Sequence, residues 1–503
     1  MTDGRRATLL FAAGVVALCV VAGALMLSFG DVTQDDAFIS YRYARNLAEG
    51  RGLVYNAGER VEGYSNFLWT ITVAAGAKAG LPPPVTGRWL GMACALAAVV
   101  ATALLARRLA GPWLGLVAAA MLAVNASFLV NGAQGLETAL FVLLVTLGAY
   151  LAGEEFADLG RRPWSAVPLI LAMLTRADGA LVWLVALPFY VVTVKDNRRR
   201  FILWAGSFLL VAAAFEAWRL AYYGNPFPNT FYVKAMPGGG PWRTGLPYAG
   251  TFLLRFTPIL LFLPLAARRR KPLYLWAALV VAFFAYVTAV GGDMLPTDRL
   301  YLPVVPLLVI AAAAALGDLV ARADIRPWAR AVLAAALVAT PLLGFYPSFD
   351  YARAYRLPRQ FHVAAGKWLG ANAPPGATLA TTAAGIVPYY SGLRTYDMLG
   401  LTDRYVARHG SRHATLPGHG LAAAAYILRA KPTYVLVYDM VFSPLPLTAE
   451  DVAAGAGSPA ARELVAAPAF RRAYVLSRAE IAPGEYFYYF IRNDYTGGAN
   501  SPR

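Results

Sequence analysis

Eleven long apolar runs, at 8–29, 88–106, 113–130, 136–152, 164–176, 179–194, 201–222, 251–267, 272–290, 301–320 and 328–346, dominate the first two thirds of the sequence. A run of roughly 20 apolar residues matches the hydrocarbon core of a bilayer, and in lipid the helix is the only open-ended backbone that satisfies its own polar groups. Only 15% of the 503 residues are charged, against about 25% in soluble domains. Lipid must therefore cover what charge does not. The expected fold is a polytopic α-helical membrane protein of about eleven transmembrane helices, the short 164–176 run needing tilt or help from Trp164. The net charge of +17 does not point to nucleic acid, because the cations cluster between apolar runs, as in cytoplasmic loops. Membrane lipids are the expected surroundings.

Leu9 to Phe29 follows Arg5 and Arg6 and reads as a signal anchor with its N-terminus in the cytoplasm. The apolar stretch 66–81 is ambiguous, and charge decides it. If 66–81 lies along the interface, Arg107–Arg108, Arg161–Arg162, Arg198–Arg200 and Arg268–Lys271 all fall inside; if it spans, all fall outside. The first reading gives a membrane body at 1–346, with a first outer loop at 30–87. An extracytoplasmic α/β domain follows at 347–503, all at the cytoplasmic (inner) membrane. In that tail, turn signals at 373–376, 391–392 and 417–418 separate helical periodicity (Gln360 to Leu369, Leu421 to Ala430) from strand-like runs (Thr433 to Tyr438, Tyr486 to Ile491). Cys19 and Cys94 lie inside apolar runs and suit core packing. His409, His413 and His419 lack the glutamate of a hydrolase zinc motif.

The informative polar residues flank the spans on the outer side. Asp35 and Asp36 follow the first span and open a helix carrying Tyr41, Arg42 and Arg45. Adjacent carboxylates there cap helix amides, or serve as a general base beside a cation ligand or orienting group. Glu62 and Tyr64, among glycines and aromatics, suit a sugar site or an aromatic belt. Lys234 and Arg299 are outer cations that fit a phosphate or lipid headgroups in general. Arg176 and Asp178 form a structural pair or a substrate contact.

These loops resemble those of a known family. Residues 35–44 (DDAFISYRYA) and 59–66 (ERVEGYSN) are similar to the first outer loop of GT-C membrane glycosyltransferases. Within them lies the branch of the terminal β-(1→2)-arabinofuranosyltransferases of mycobacterial cell-wall arabinan synthesis. Residues 225–230 (NPFPNT), 291–294 (GGDM) and 397–403 (DMLGLTD) extend the resemblance over most of the chain. It implies inverting transfer of a sugar, arabinofuranose in that branch, from a polyprenyl-phosphate donor to an outer-face cell-envelope glycan or glycolipid. It also implies Asp35 as the base, with Asp36 beside it as acceptor or metal ligand (Mg, Mn or Ca, members differing on the need for one), or the two in the reverse order. Arg299, Lys234 and Arg176 become the donor-phosphate candidates, and Tyr41, Arg42, Glu62, Tyr64, Asn229 and Asp293 the sugar and acceptor contacts. A mannosyl or other hexosyl enzyme is the alternative within the superfamily. A transporter or flippase of lipid-linked sugar is the rival outside it, and would place polar residues in broken spans at the midplane.

Overall fold

The helices begin and end where their residues dictate. α1 (Asp3–Ser28), α2 (Asp35–Ala48) and α3 (Phe67–Lys78) are followed by α4 (Pro83–Ala110), which starts on prolines that need no N–H partner and stops at Gly111, φ +100°. Next come α5 (Pro112–Ala123), α6 (Ala126–Ala133), α7 (Thr138–Ala157), α8 (Ala166–Thr175), α9 (Gly179–Thr193), α10 (Arg198–Tyr223), α11 (Asn229–Lys234), α12 (Trp242–Ala267), α13 (Pro272–Val290), α14 (Val305–Arg322), α15 (Pro327–Ala339), α16 (Phe345–Asn372) and α17 (Ile386–Ser391). This computed structural model describes residues 3–495 apart from 159, 194–196, 235–241, 268–271, 294, 323–324, 414–417 and 438–441. The expected inside cluster at 268–271, Met294, Pro417 and the end of the 433–438 run lie outside the described residues.

Six helices, α1, α4, α7, α10, α13 and the Leu302–Arg322 segment containing α14, are each long and apolar enough to cross a membrane. The chain is a multi-pass helical membrane protein; by length and composition it has six candidate spans, or seven if α5 and α6 are one, against eleven apolar runs in the sequence. The expected 113–130 run is bent by 63° between α5 and α6. The Asn125 side chain accepts from the Phe128 amide at 2.9 Å and so starts a new helix inside the run. The 164–176, 179–194 and 328–346 runs yield helices α8, α9 and α15 of only 10, 15 and 13 residues. The 251–267 run is the second part of a 26-residue α12. α3 has 12 residues and is about 18 Å long.

Small residues let the body close. A Cβ on Gly91 of α4 would stand 2.6 Å from the Gly132 carbonyl oxygen of α6, and one on Gly115 2.7 Å from that of Ala103. Backbone thus lies directly on backbone, as membrane helices with little hydrophobic drive between them require. Cys94 is buried there, and Cys19 is partly buried; both are free thiols.

The tail carries β1 (Thr378–Thr381), β2 (Arg394–Asp397), β3 (Ser411–Arg412), β4 (Leu421–Ala422), β5 (Tyr434–Leu436), β6 (Phe442–Ser443), β7 (Tyr474–Ala482) and β8 (Glu485–Arg492). β1 pairs in parallel with β2 and β5; β8 runs antiparallel to β5, β6 and β7. The helix expected over 421–430 begins only at Ala424, because Leu421 and Ala422 pair with β3. β1 and β2 both point their C-terminal ends at the first outer loop. Their following turns share apolar cores with it: Phe38, Tyr41 and Trp69 pack with Ile386 and Tyr389, and Tyr43, Tyr55 and Tyr64 with Ala384.

Gly91→Val should destabilise the body by about 1–3 kcal/mol, the usual overpacking cost. Thermal unfolding in detergent checks this; an unchanged midpoint would mean that α4 and α6 can part without loss.

Candidate active site

The outer loop is held by the tail through backbone groups. Asp35 accepts from the Gly385 amide at 3.0 Å and the Ile386 amide at 2.8 Å, at the start of α17. Position 385 tolerates only glycine, since a Cβ would run into the Asp35 carbonyl. Burial pushes the Asp35 carboxyl up to about 7; the Ile386 amide opposes this, neighbouring Asp36 adds to it, the Gly385 amide opposes it again and Asp397 adds last.

Arg42 is buried and donates from Nε to the Tyr55 carbonyl (2.8 Å) and from Nη1 to that of Pro388 (2.7 Å). Its Nη2 donates to Asn56 Oδ1 (3.2 Å) and to the Leu393 carbonyl (2.7 Å). Asn56 pairs with both backbone groups of Thr395. Asn229 donates to the carbonyls of Gly400 (2.6 Å), Leu401 (3.3 Å) and Asp403 (3.1 Å). That turn is tied by Asp397, which accepts from the amides of Leu399, Gly400 and Thr402. The segments 35–44, 59–66, 225–230 and 397–403, far apart in sequence, thus meet at one junction.

Several expected sugar and acceptor contacts lie in the interior of this junction. Tyr41 is fully buried, donating to the Gly135 carbonyl at 2.7 Å. Tyr64 is buried against Tyr223, hydroxyl to hydroxyl at 3.2 Å. Glu62 is buried in an ion pair with Arg219 at 3.0 Å. Together with Arg42 and Asn229 they bind the protein's own loops, because the tail roofs a loop that looks solvent-exposed when read alone.

What remains forms a cluster of charge. Asp36 and Lys234 carry accessible surface, and among the described residues neither makes an ion pair or hydrogen bond. Yet Lys234 is enclosed enough that burial, with Arg299 and Arg176, pushes its ammonium below the usual lysine range against the pull of Asp36 and Asp293. Its aliphatic stem lies beside Gly418 of the tail. Arg299 is held by Asp293 through Nε (2.7 Å) and Nη2 (3.2 Å), leaving Nη1 without a partner among the described residues. Tyr351 of α16 bonds Gln34 and feels the charges of Asp36, Arg299 and Asp293. It was not legible in the sequence, since nothing local marks a tyrosine beyond the last apolar run. Arg176 differs: Asp178 takes it bidentately at 2.9 and 3.1 Å and Glu137 at 3.1 Å, so its guanidinium is committed to the structure.

Solved structures share this architecture. The chain superposes with ArnT of Cupriavidus metallidurans bound to undecaprenyl phosphate, at a TM-score of 0.58 and 15% identity, covering 79% of this chain and 86% of that one. It superposes with the Archaeoglobus fulgidus oligosaccharyltransferase at 0.52 and 11% identity, covering 86% and 69%. The chain has the GT-C-like membrane glycosyltransferase fold.

Sequence relatives of this GT-C-like chain include the terminal beta-(1->2)-arabinofuranosyltransferase of Mycobacterium tuberculosis. It is 30% identical over 286 residues, 51% of this chain and 45% of that protein. The enzyme of the same name from Corynebacterium glutamicum is 27% identical over 328 residues, 55% and 47%. The chain therefore spans just under half the length of the curated relatives it matches. Residues 350–491 match a domain of unknown function, DUF8728. For a divalent ion at Asp36, no set of three His, Cys, Asp or Glu ligands exists among the described residues, and the charges in range of Asp36 include those of Lys234 and Arg299. The donor set does not fit such an ion.

The Asp35 contact titrates with a definite sign. Its folded-state value, about 7, lies above the ordinary value of about 3.9. Burial of the carboxyl sets this sign and the amide contacts oppose it: the neutral acid is favoured in the fold, so stability falls as pH rises from about 4 to about 7. The unfolding midpoint of wild type should fall between about pH 5 and about pH 8, and fall less in Asp35→Asn. Equal falls would place the titrating group elsewhere.

Proposed function

We propose that this chain is an inverting glycosyltransferase that moves a sugar from a polyprenyl-phosphate carrier to an outer-face cell-envelope glycan. Arabinofuranose is the sugar favoured by the relatives. The observation that carries this reading is a cluster of charge, where a carboxylate, Asp36, and an ammonium, Lys234, neither with a partner among the described residues, lie within electrostatic range of each other and of Arg299. The acceptor hydroxyl gives its proton to Asp36 while its oxygen bonds to the anomeric carbon. The anomeric C–O bond breaks as its electron pair leaves on the phosphate, and one displacement inverts the centre. Lys234 and Nη1 of Arg299 stabilise that charge as it develops.

The geometry favours Asp36 over Asp35 as the base. Asp35 spends both oxygens on the Gly385 and Ile386 amides and acts as a positioning residue. Asp36→Asn should lower transfer about 10²–10⁴-fold, the usual worth of general-base catalysis, with an unchanged unfolding midpoint. Asp35→Asn should lower the midpoint as well. Lys234→Ala should weaken donor use by about one to two decades, the worth of a charge-assisted hydrogen bond, while Arg176→Ala should cost stability first. Transfer from a polyprenyl-phosphate arabinose panel by purified protein measures all four. Full activity in Asp36→Asn would overturn the mechanism.

The same contacts support a count of eleven crossings. The outer loop bonds the tail through Asp35, Arg176 ties α8 to Glu137 before α7, and Lys234 senses Asp293 and Arg299 beyond α13. Segments that touch lie on one side of a membrane, so an even number of crossings separates each pair. α7 crosses, so α8 crosses back; α13 crosses, so α12 must too; α14 likewise requires α15. Short helices are then accommodated by local thinning or flanking residues. With the cations of 107–108, 161–162 and 198–200 inside, the body is residues 1–346 and the extracytoplasmic tail 347–503. An impermeant maleimide should label Leu81→Cys and Leu445→Cys in intact cells, and Arg199→Cys only after permeabilisation. Labelling of Leu81→Cys from the cytoplasm alone would mean that α3 crosses.

A further inference from the structure

Three arginines converge just past the end of α1. Arg88, in the second turn of α4, donates from Nη2 to the Gly30 carbonyl at 2.7 Å. The Arg356 guanidinium of α16 lies flat on the same residue: a Cβ on Gly30, which is held at φ +72°, would stand 3.0 Å from its Cζ and 3.2 Å from its Nε and Nη1. Arg359, one turn further along α16, pairs with Asp31 at 2.6 Å. Arg356 is exposed and makes no ion pair or hydrogen bond among the described residues. Arg88 and Arg359 each bury an Nε that has no acceptor among the described residues. Their charges are not balanced by the protein. Asp31 supplies one negative charge, and the carboxyl end of α1 the equivalent of about half of another. Three guanidinium groups, always protonated, bring three positive charges, so an excess of about one and a half remains. Cation capping of α1 accounts for part of the cluster and not for all of it.

Depth decides what completes it. α4 has 28 residues and is about 42 Å long, more than the roughly 30 Å of hydrocarbon in a bilayer, so its first turns stand among headgroups. Leu81, Val85 and Trp89, spaced four apart at the start of α4, are all exposed. They mark the side that meets lipid, with Trp89 as an interfacial anchor, and Arg88 adjoins them. On α16, Arg356 follows Tyr351 by five residues and so stands about 140° round the helix from it, on a different side from the charges around Asp36. We propose that this corner binds the phosphodiester headgroup of an anionic phospholipid, which fastens α16, the helix joining body and tail, to α1 and α4. A zwitterionic headgroup brings its own cation and leaves the excess charge in place, so the site discriminates by net charge. This goes beyond the transferase reading and needs no turnover, so the two can fail separately.

The test titrates full-length protein in detergent with phosphatidylglycerol, followed by native mass spectrometry, with phosphatidylcholine and a polyprenyl phosphate alongside. Phosphatidylglycerol should bind about tenfold tighter than phosphatidylcholine and raise the unfolding midpoint, as a ligand of the folded state does. Arg356→Gln removes a group bonded to nothing among the described residues, so it should keep the lipid-free midpoint. It should lose about tenfold in phosphatidylglycerol affinity, the worth of one charge-assisted bond, while Arg356→Lys, which keeps the charge, retains most of it. Lys234→Ala should leave phosphatidylglycerol binding unchanged. Equal binding of the two phospholipids by wild type, or wild-type affinity in Arg356→Gln, would overturn the proposal. So would a lower lipid-free midpoint in both Arg356 variants, since the arginine would then serve the fold alone. Loss of phosphatidylglycerol in Lys234→Ala, or its one-for-one displacement by polyprenyl phosphate, would overturn it as well, because the lipid would then occupy the donor site.

Discussion

The structure depends on two hydrogen bonds between residues 350 and 351 positions apart, from the amides of Gly385 and Ile386 to Asp35. They fix the start of α2, and α2 presents Asp36 one residue later. A carboxylate that follows a fixed one on a helix has little freedom, and this is how an acid can be aimed without being hydrogen-bonded itself. The tail therefore acts as part of the site, supplying the amides that hold Asp35 and the carbonyls that hold Arg42.

The elements legible in the sequence were those set by local rules. Apolar length located the long helices, though not their ends, as α4 shows by starting at Pro83 and not at 88. The ambiguous stretch at 66–81 holds a short helix, and β8 falls on the strand-like run at 486–491. Pairing over long range was not legible. Tyr41, Arg42, Tyr64 and Asn229 look like sugar contacts because aromatics and amides in an outer loop suit carbohydrate. The same side chains suit buried backbone just as well, and only the tail's position tells the two apart. The break within the 113–130 run was missed for the opposite reason: one asparagine cap outweighs apolar composition.

Charge already spent separates structural from chemical residues here. Arg42 places four donations on protein acceptors, Arg176 satisfies two carboxylates, and Asp397 accepts from three amides. A guanidinium has a planar fork of five donors, which is why arginine so often serves as an internal clamp. Adding a substrate phosphate to Arg176 would mean displacing a carboxylate that is itself buried, at a cost of several kcal/mol.

Lys234 presents the inverse case. Its ammonium makes no ion pair among the described residues, and partial burial, with Arg299 and Arg176 nearby, lowers its proton affinity against the pull of Asp36 and Asp293. Asp36 faces the same field from the opposite sign. If the two were a structural pair they would close to ion-pair distance, as Asp293 and Arg299 do at 2.7 Å; they do not. The separation leaves room for a ligand that brings an anion to Lys234 and a proton to Asp36. A sugar esterified to phosphate, with an acceptor hydroxyl beside it, brings both. The cluster is thus incomplete electrostatically in the way a bound phosphate ester would complete it, and this incompleteness, more than any one residue, is the physical argument for transfer chemistry at this site.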